Sequence, residues 1–232
     1  VRIFRLHSWK VDVREAPELQ LRLAGKVISD RPLAAWRTVA AADVSYNRFS
    51  NRICAAVVVW EPETDSVVET ACAVRITSFP YRTGLLSFRE APALIAAFAR
   101  LKTRPDVVMF DGHGIAHPRR FGLACHVGLW LGRPAFGVAK SLLAGRIEGE
   151  LGSRSGDLAH LRIGKDLVGA ALRTKARCLP VFVSPGHLID LATSLAVVRD
   201  SLRGRRLPEP ARLAHEEANR LRRCKGAVNG TD

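Results

Sequence analysis

Val107-Val-Met-Phe110 runs directly into Asp111-Gly112-His113-Gly114, and that join decides the fold. Four consecutive apolar residues are too few for a helix and read as a strand buried on both faces. The acid marks the end of the strand, and the two glycines permit backbone angles and close approaches that other residues resist. Upstream, Leu86, Glu90, Leu94, Ala97 and Leu101 share one helical stripe that must stop before Pro105. Downstream, Leu123 to Leu131 has a helical pattern and Ala135 to Ala139 is a second short apolar strand, ending at Lys140. Alternating helices and apolar strands point to a sheet with helices packed on it.

Working outward, Thr38 to Val44 is a short apolar strand that ends around Asp43. Cys54 to Trp60 and Val67 to Ile76 are two more strands, and the Glu-Pro-Glu-Thr-Asp-Ser between them has turn composition. Three antiparallel strands are therefore expected first. Toward the N-terminus, Leu19, Leu23 and Val27 make a weak amphipathic helix within Val11 to Ile28. Beyond Gly145 a polar Gly/Ser-rich stretch runs to Gly156; strands are expected at Asp166 to Arg173 and Pro180 to Val183, and helices at His187 to Leu202 and Glu209 to Arg223. The expected fold is α/β: a mixed sheet with a three-strand antiparallel meander, then strand–helix alternation, with helices on both faces. One domain covers 1–232, with 224–232 a flexible tail.

The 232 residues include 36 Lys+Arg against 22 Asp+Glu, a formal charge of +14. Such a surplus favours a polyanionic partner, nucleic acid first and an anionic membrane surface second. With 47% hydrophobic and 25% charged residues the chain is neither disordered nor fibrous. Five scattered cysteines without a C-x-x-C read as free thiols in a reducing compartment. No apolar run reaches the ~18 residues of a spanning helix, and the N-terminal residues lack a signal-peptide pattern. The expectation is a monomeric protein of the cytoplasm with no membrane partner.

Glu90 occupies a stripe position where an apolar residue is expected, so it needs a cation, a metal or a wet cleft. An ion pair with Arg89 or Arg104 is the plain alternative. Asp43 and Asp111 each follow an apolar run, at strand ends beside a crossover, where sites are built. Two such acids and a helix-borne third can converge on Mg²⁺, which takes oxygen ligands. Arg119 and Arg120 suit phosphate. A zinc site through His113, His117 and His126 is disfavoured by the flanking Gly and Pro. Lys140 reads as a phosphate contact or a solvated lysine, and Tyr81 as packing or as an aromatic that stacks on bases. Pro208 and Pro210 fix the start of the last helix, which carries His215 one turn in.

The phrases FPYRTGLLSFRE, PDVVMFDGHGIAHPRR, GVAKS, RTKARCLPVFVSPGH and RRLPEPARLAH, in that order from about Ala42 to His215, resemble endonuclease V, the deoxyinosine-specific repair nuclease family. The resemblance implies a ribonuclease H-like fold and Mg²⁺-dependent hydrolysis, with Mn²⁺ as a substitute, of the second phosphodiester bond 3′ to deoxyinosine in DNA. It implies metal at Asp43 and Asp111, a catalytic cluster completed by Glu90 and His215, and Lys140 assisting at the phosphate. Tyr81 would be the strand-separating wedge, with Arg82, Arg119 and Arg120 on DNA. Gly84, Leu85, Gly112 and Gly114 would line the pocket for the flipped base. The alternatives are inosine-containing RNA as substrate, or a non-catalytic nucleic-acid-binding protein of the same fold. In the family the wedge commonly reads Pro-Tyr-Ile-Pro; here Arg82-Thr83 follow Tyr81, so the loop loses a proline and gains a charge. Segments before Leu33 and after Arg223 resemble the family less.

Overall fold

A computed structural model describes residues 1–47 and 50–224. In chain order these form α1 (Ala16–Ala24), β1 (Val39–Ser45), β2 (Arg52–Glu61), β3 (Ser66–Ile76), α2 (Leu86–Phe98), β4 (Val107–Phe110), α3 (Leu123–Leu131), β5 (Ala135–Ala139), β6 (Arg146–Glu148), β7 (Leu158–Ile163), β8 (Asp166–Leu172), β9 (Val181–His187), α4 (Leu191–Asp200) and α5 (Glu209–Arg223). The strands join one sheet in the order β3-β2-β1-β4-β5-β9-β8-β7-β6. The meander β1–β2–β3 is antiparallel, β4 and β5 lie parallel beside β1, and β9 returns antiparallel on β5.

Side chains of successive strand residues point to opposite faces, and the short apolar runs use both. Ala40, Ala42, Val108 and Phe110 pack against α2 and α3, with Leu94, Phe98, Val127 and Trp130 in the same cluster. Val39, Ala41, Val107 and Met109 face the other way, onto Leu195 and Val198 of α4 and Ala214 of α5. A strand buried on both faces cannot alternate apolar with polar residues, which is why 107–110 is continuously apolar.

Four expectations change. The stretch between Gly145 and Gly156 holds the short strand β6, whose three residues at the sheet edge are too few and too polar to declare themselves. Leu158–Ile163 is a strand, β7, where none was expected; Ala159 and Leu161 are buried while His160 is exposed, and the intervening polar residues hide the pattern. It turns into β8 at Gly164, whose positive φ of 63° suits glycine. β9 continues past Val183 through Pro185 to His187, so α4 begins at Leu191 and not at His187. Asp190 sets that start, its carboxylate accepting the Thr193 N–H at 2.8 Å. His215 lies nearly two turns into α5 and not one, six residues after the expected start at Glu209. Of the tail expected over 224–232, residues 225–232 lie outside the described ones.

Candidate active site

The parallel register brings the acids together. Ala42 pairs with Phe110, so Asp43 and Asp111 come next side by side; Asp111 follows the end of β4, whereas β1, expected to end at Asp43, continues on its β2 side to Ser45. The Asp111 N–H still donates to the Ala42 carbonyl at 3.2 Å. By the period of two, Asp43 follows Val39 and Ala41 onto the α5 side, where His215 waits. His215 Nδ1 donates to Asp43 Oδ2 at 2.7 Å. One ligand atom each from Asp43, Asp111 and His215 lie within 4.8 Å of one another. Glu90 reaches the same cleft from the first turns of α2.

Burial and mutual repulsion load this cluster. Desolvation first, then the charges of Asp43 and Asp111, push the Glu90 carboxyl up to about 8. Asp111 is raised by the same two causes, and the Lys140 ammonium, in direct contact with Asp111 Oδ2, offsets part of that. The hydrogen bond to Asp43 raises His215. Two carboxylates and an imidazole within ligand distance of one another, with a third carboxylate at the same cleft, make an oxygen-rich, over-acidic donor set. That set fits Mg²⁺ or Mn²⁺ and lacks the thiolates that favour softer metals. Among the described residues Glu90 has no ion-pair partner. Arg89 instead donates to the Phe79 and Ser50 carbonyls, at 2.6 and 2.7 Å, and stacks over the Tyr46 ring.

A cavity of about 600 Å³ opens beside the acids, lined by Tyr46, Tyr81, Gly84, Ser87, His117 and Leu142 among others. Tyr81 stands at its rim, 60% exposed. Of the expected pocket residues, Gly84 and Gly112 line the cavity. Leu85 is buried in the core with Phe79 and Phe88, and Gly114 is pressed on β9, where a Cβ would meet the Pro185 carbonyl at 1.9 Å. The two arginines have protein partners. Arg119 donates to Gln20 Oε1 at 2.6 Å and to the Gly84 carbonyl at 2.8 Å; Arg120 pairs with Asp166 at 2.9 Å. Arg82 is exposed next to Tyr81. The three histidines of the zinc alternative do not converge: His113 bonds Ser141, His117 bonds Gly84 and His126 bonds Ser87.

Three site residues escape the sequence reading. Tyr46 donates its hydroxyl to Glu90 Oε1 at 3.0 Å. Asn219, one turn after His215, donates to His215 Nε2 at 3.0 Å and accepts from Ser45 at 2.8 Å; the i, i+4 spacing was the available signal. Gln20, on α1, donates to the Gly84 carbonyl at 3.1 Å and to the Phe121 carbonyl at 3.2 Å. Nothing in the α1 sequence marks it beyond its polarity on a buried stripe. With His117 at 2.9 Å and Arg119, it makes the Gly84 carbonyl the target of three side chains.

Comparison with known proteins agrees with this geometry. The family profile described as Endonuclease V matches residues 21–216. An endonuclease V of Rhodospirillum centenum is 47% identical over 227 residues, covering 95% of this chain and 93% of its own. The crystal structure of endonuclease V from Streptomyces avermitilis superposes with a TM-score of 0.86 at 40% identity, covering 95% of this chain and 97% of that one. A variant endonuclease V of Ciona intestinalis, solved in complex with a 23mer DNA containing an inosine followed by a ribo-adenosine, gives a TM-score of 0.77 at 26% identity, covering 90% and 95%. The profile spans every acid of the cluster together with His215, and the relatives match over nearly the full chain: this chain belongs to the endonuclease V family.

Proposed function

We propose that this chain, as one catalytic domain, hydrolyses the second phosphodiester bond 3′ to deoxyinosine in DNA, with Mg²⁺ or Mn²⁺ held by Asp43 and Asp111. The observation that carries the reading is the convergence of Asp43, Asp111 and His215 within 4.8 Å, beside a Glu90 that cannot comfortably ionise without a cation. When bound, the divalent ion supplies Lewis-acid stabilisation of the phosphoryl oxygens and a water acidified enough to attack.

The chain's own residues do the rest. Asp43 orients the His215 imidazole through Nδ1, and Asn219 holds the opposite nitrogen. Tyr46 fixes one oxygen of Glu90. The Lys140 ammonium, at Asp111, lies where a phosphate oxygen would need positive charge. Tyr81 at the rim fills the gap left by an extruded base, and exposed Arg82 meets the backbone. Hypoxanthine pairs poorly, so its extrusion is easier than that of a normal base. The +14 charge supplies the general attraction to the strand. No helix of the described residues is long and apolar enough to cross a membrane.

The test is cleavage of matched inosine-containing DNA and RNA, with Mg²⁺ and with chelator. Products from DNA ending at the second 3′ bond, absent under chelation, support the reading. Cleavage of RNA alone moves the substrate to RNA, and no cleavage of either contradicts a nuclease.

A further inference from the structure

Two basic loops stand together at the end of the sheet that carries the acids. β9 runs antiparallel to both β5 and β8, with Ala139 paired to Phe182 and Leu172 paired to Val181. The β8–β9 connection, 173–180, therefore opens at the same end as Lys140 and Asp111. The α4–α5 connection is bonded to it there. Arg206 donates to the Lys140, Leu179 and Pro180 carbonyls, each at 2.9 Å, and its own carbonyl accepts the Thr174 hydroxyl at 2.6 Å. The cavity wall draws on residues 20 through 143, so neither loop is part of it.

These loops expose Lys175, Arg177 and Arg205. Among the described residues none of the three joins an ion pair. The acids close by are already taken: Asp65 by Arg203, Asp157 by Arg154 and Glu209 by Arg212. Arg177 also holds a φ of 60°, in the left-handed region that disfavours side chains and suits glycine. Folding of the loop alone would be served better by glycine at 177 than by arginine.

Resting on the function proposed above, we infer that Lys175, Arg177 and Arg205 form a platform for the phosphates of the cleaved strand on the 3′ side of the cut. A strand with its base in the cavity and its second 3′ phosphodiester at Asp43 and Asp111 meets Lys140 next. Arg206 fixes the platform to the Lys140 backbone, so the next phosphates run onto it. Its three cations have no carboxylate to give up when a phosphate arrives, and each phosphate they neutralise releases counterions from the strand.

The experiment measures affinity against salt, with chelator, for wild type, the triple variant Lys175→Ala/Arg177→Gly/Arg205→Ala, and Arg177→Gly alone, which relieves the left-handed position. A thermal melt checks that each is folded. Three deoxyinosine duplexes are compared: full length, with the deoxyinosine strand ending two nucleotides past the cut, and with only the complement shortened there. On the full duplex the slope of log affinity against log salt should be shallower than wild type by roughly two to three in the triple variant, and by about one in Arg177→Gly. Both differences should vanish when the deoxyinosine strand is shortened and persist when only the complement is. Equal slopes for wild type and triple variant on the full duplex overturn the inference. A difference that survives shortening of the deoxyinosine strand overturns it too, because it reports only general attraction. One that vanishes only with the complement puts the other strand on the platform and likewise overturns it. Wild type that fails to cleave the full duplex with Mg²⁺ overturns the proposed function instead.

Discussion

His215 Nδ1 meets Asp43 Oδ2 at 2.7 Å across 172 positions of chain, tying the last helix to the first strand of the sheet. The contact makes α5 part of the site and not merely a cover for it. His215→Ala should lower single-turnover cleavage at saturating Mg²⁺ by roughly 10- to 100-fold, the usual loss when a group orienting a ligand is removed. Affinity for inosine-containing duplex in chelator should change little. A variant that cleaves at the wild-type rate would separate α5 from catalysis.

Glu90 makes the apo protein sensitive to pH. Its folded pKa of about 8 lies above the ordinary 4.5, so the folded state binds the proton more tightly than the unfolded chain. The associated stability is present below about pH 4.5 and is lost as pH rises toward 8. With chelator, wild type should melt at progressively lower temperature across that window. Glu90→Gln keeps an acceptor for Tyr46 but has no charge to bury, so it should be more stable than wild type at pH 8 and equal to it near pH 4.5. Melting curves at both pH values check this, and parallel behaviour of the two proteins would refute it.

Tyr81 stands at the cavity rim, just before the helix that carries Glu90. Base–aromatic stacking contributes ~1–3 kcal/mol, very roughly 5- to 150-fold in binding. Tyr81→Ala should weaken binding to deoxyinosine duplex by that order and binding to single-stranded deoxyinosine less, since extrusion is already easier there. Side-by-side titrations decide it; equal losses would make Tyr81 simple packing.

The Gly84 turn, with its φ of 76°, is held by Gln20, His117 and Arg119 together. Gln20→Leu removes two donors from buried carbonyls, which should destabilise the protein by ~1–3 kcal/mol. It should also raise the KM for deoxyinosine duplex more than it lowers kcat, because the turn shapes the cavity and not the acids. Steady-state kinetics with a thermal melt tests both halves.

Much of this was legible because the informative segments are short and unambiguous. Val107–Phe110 is buried on both faces, so its composition alone gives a central strand, and Asp111 marks its end. Asp43 could be placed near a strand end, two residues before the true one at Ser45, but not beside Asp111, because the Ala42–Phe110 register is a tertiary fact. β6 is a short, polar edge strand that carries little hydrophobic signal, and in β7 only Ala159 and Leu161 are buried, with polar residues between and beside them. Arg119 and Arg120 read as phosphate contacts, and their bonds to Gln20, Gly84 and Asp166 were not foreseen, because partners so far apart in sequence leave no local trace. The same holds for Gln20, whose site lies 64 residues away at Gly84.

The central claim is that Asp43 and Asp111, adjacent on parallel strands, hold the metal for phosphodiester hydrolysis. Single-turnover cleavage of a deoxyinosine duplex at saturating Mg²⁺ by wild type, Asp43→Asn and Asp111→Asn tests it most directly. Each isosteric variant should lose cleavage by at least about a hundredfold while melting cooperatively like a folded protein and still binding the duplex. Undiminished turnover by either folded variant would contradict the account.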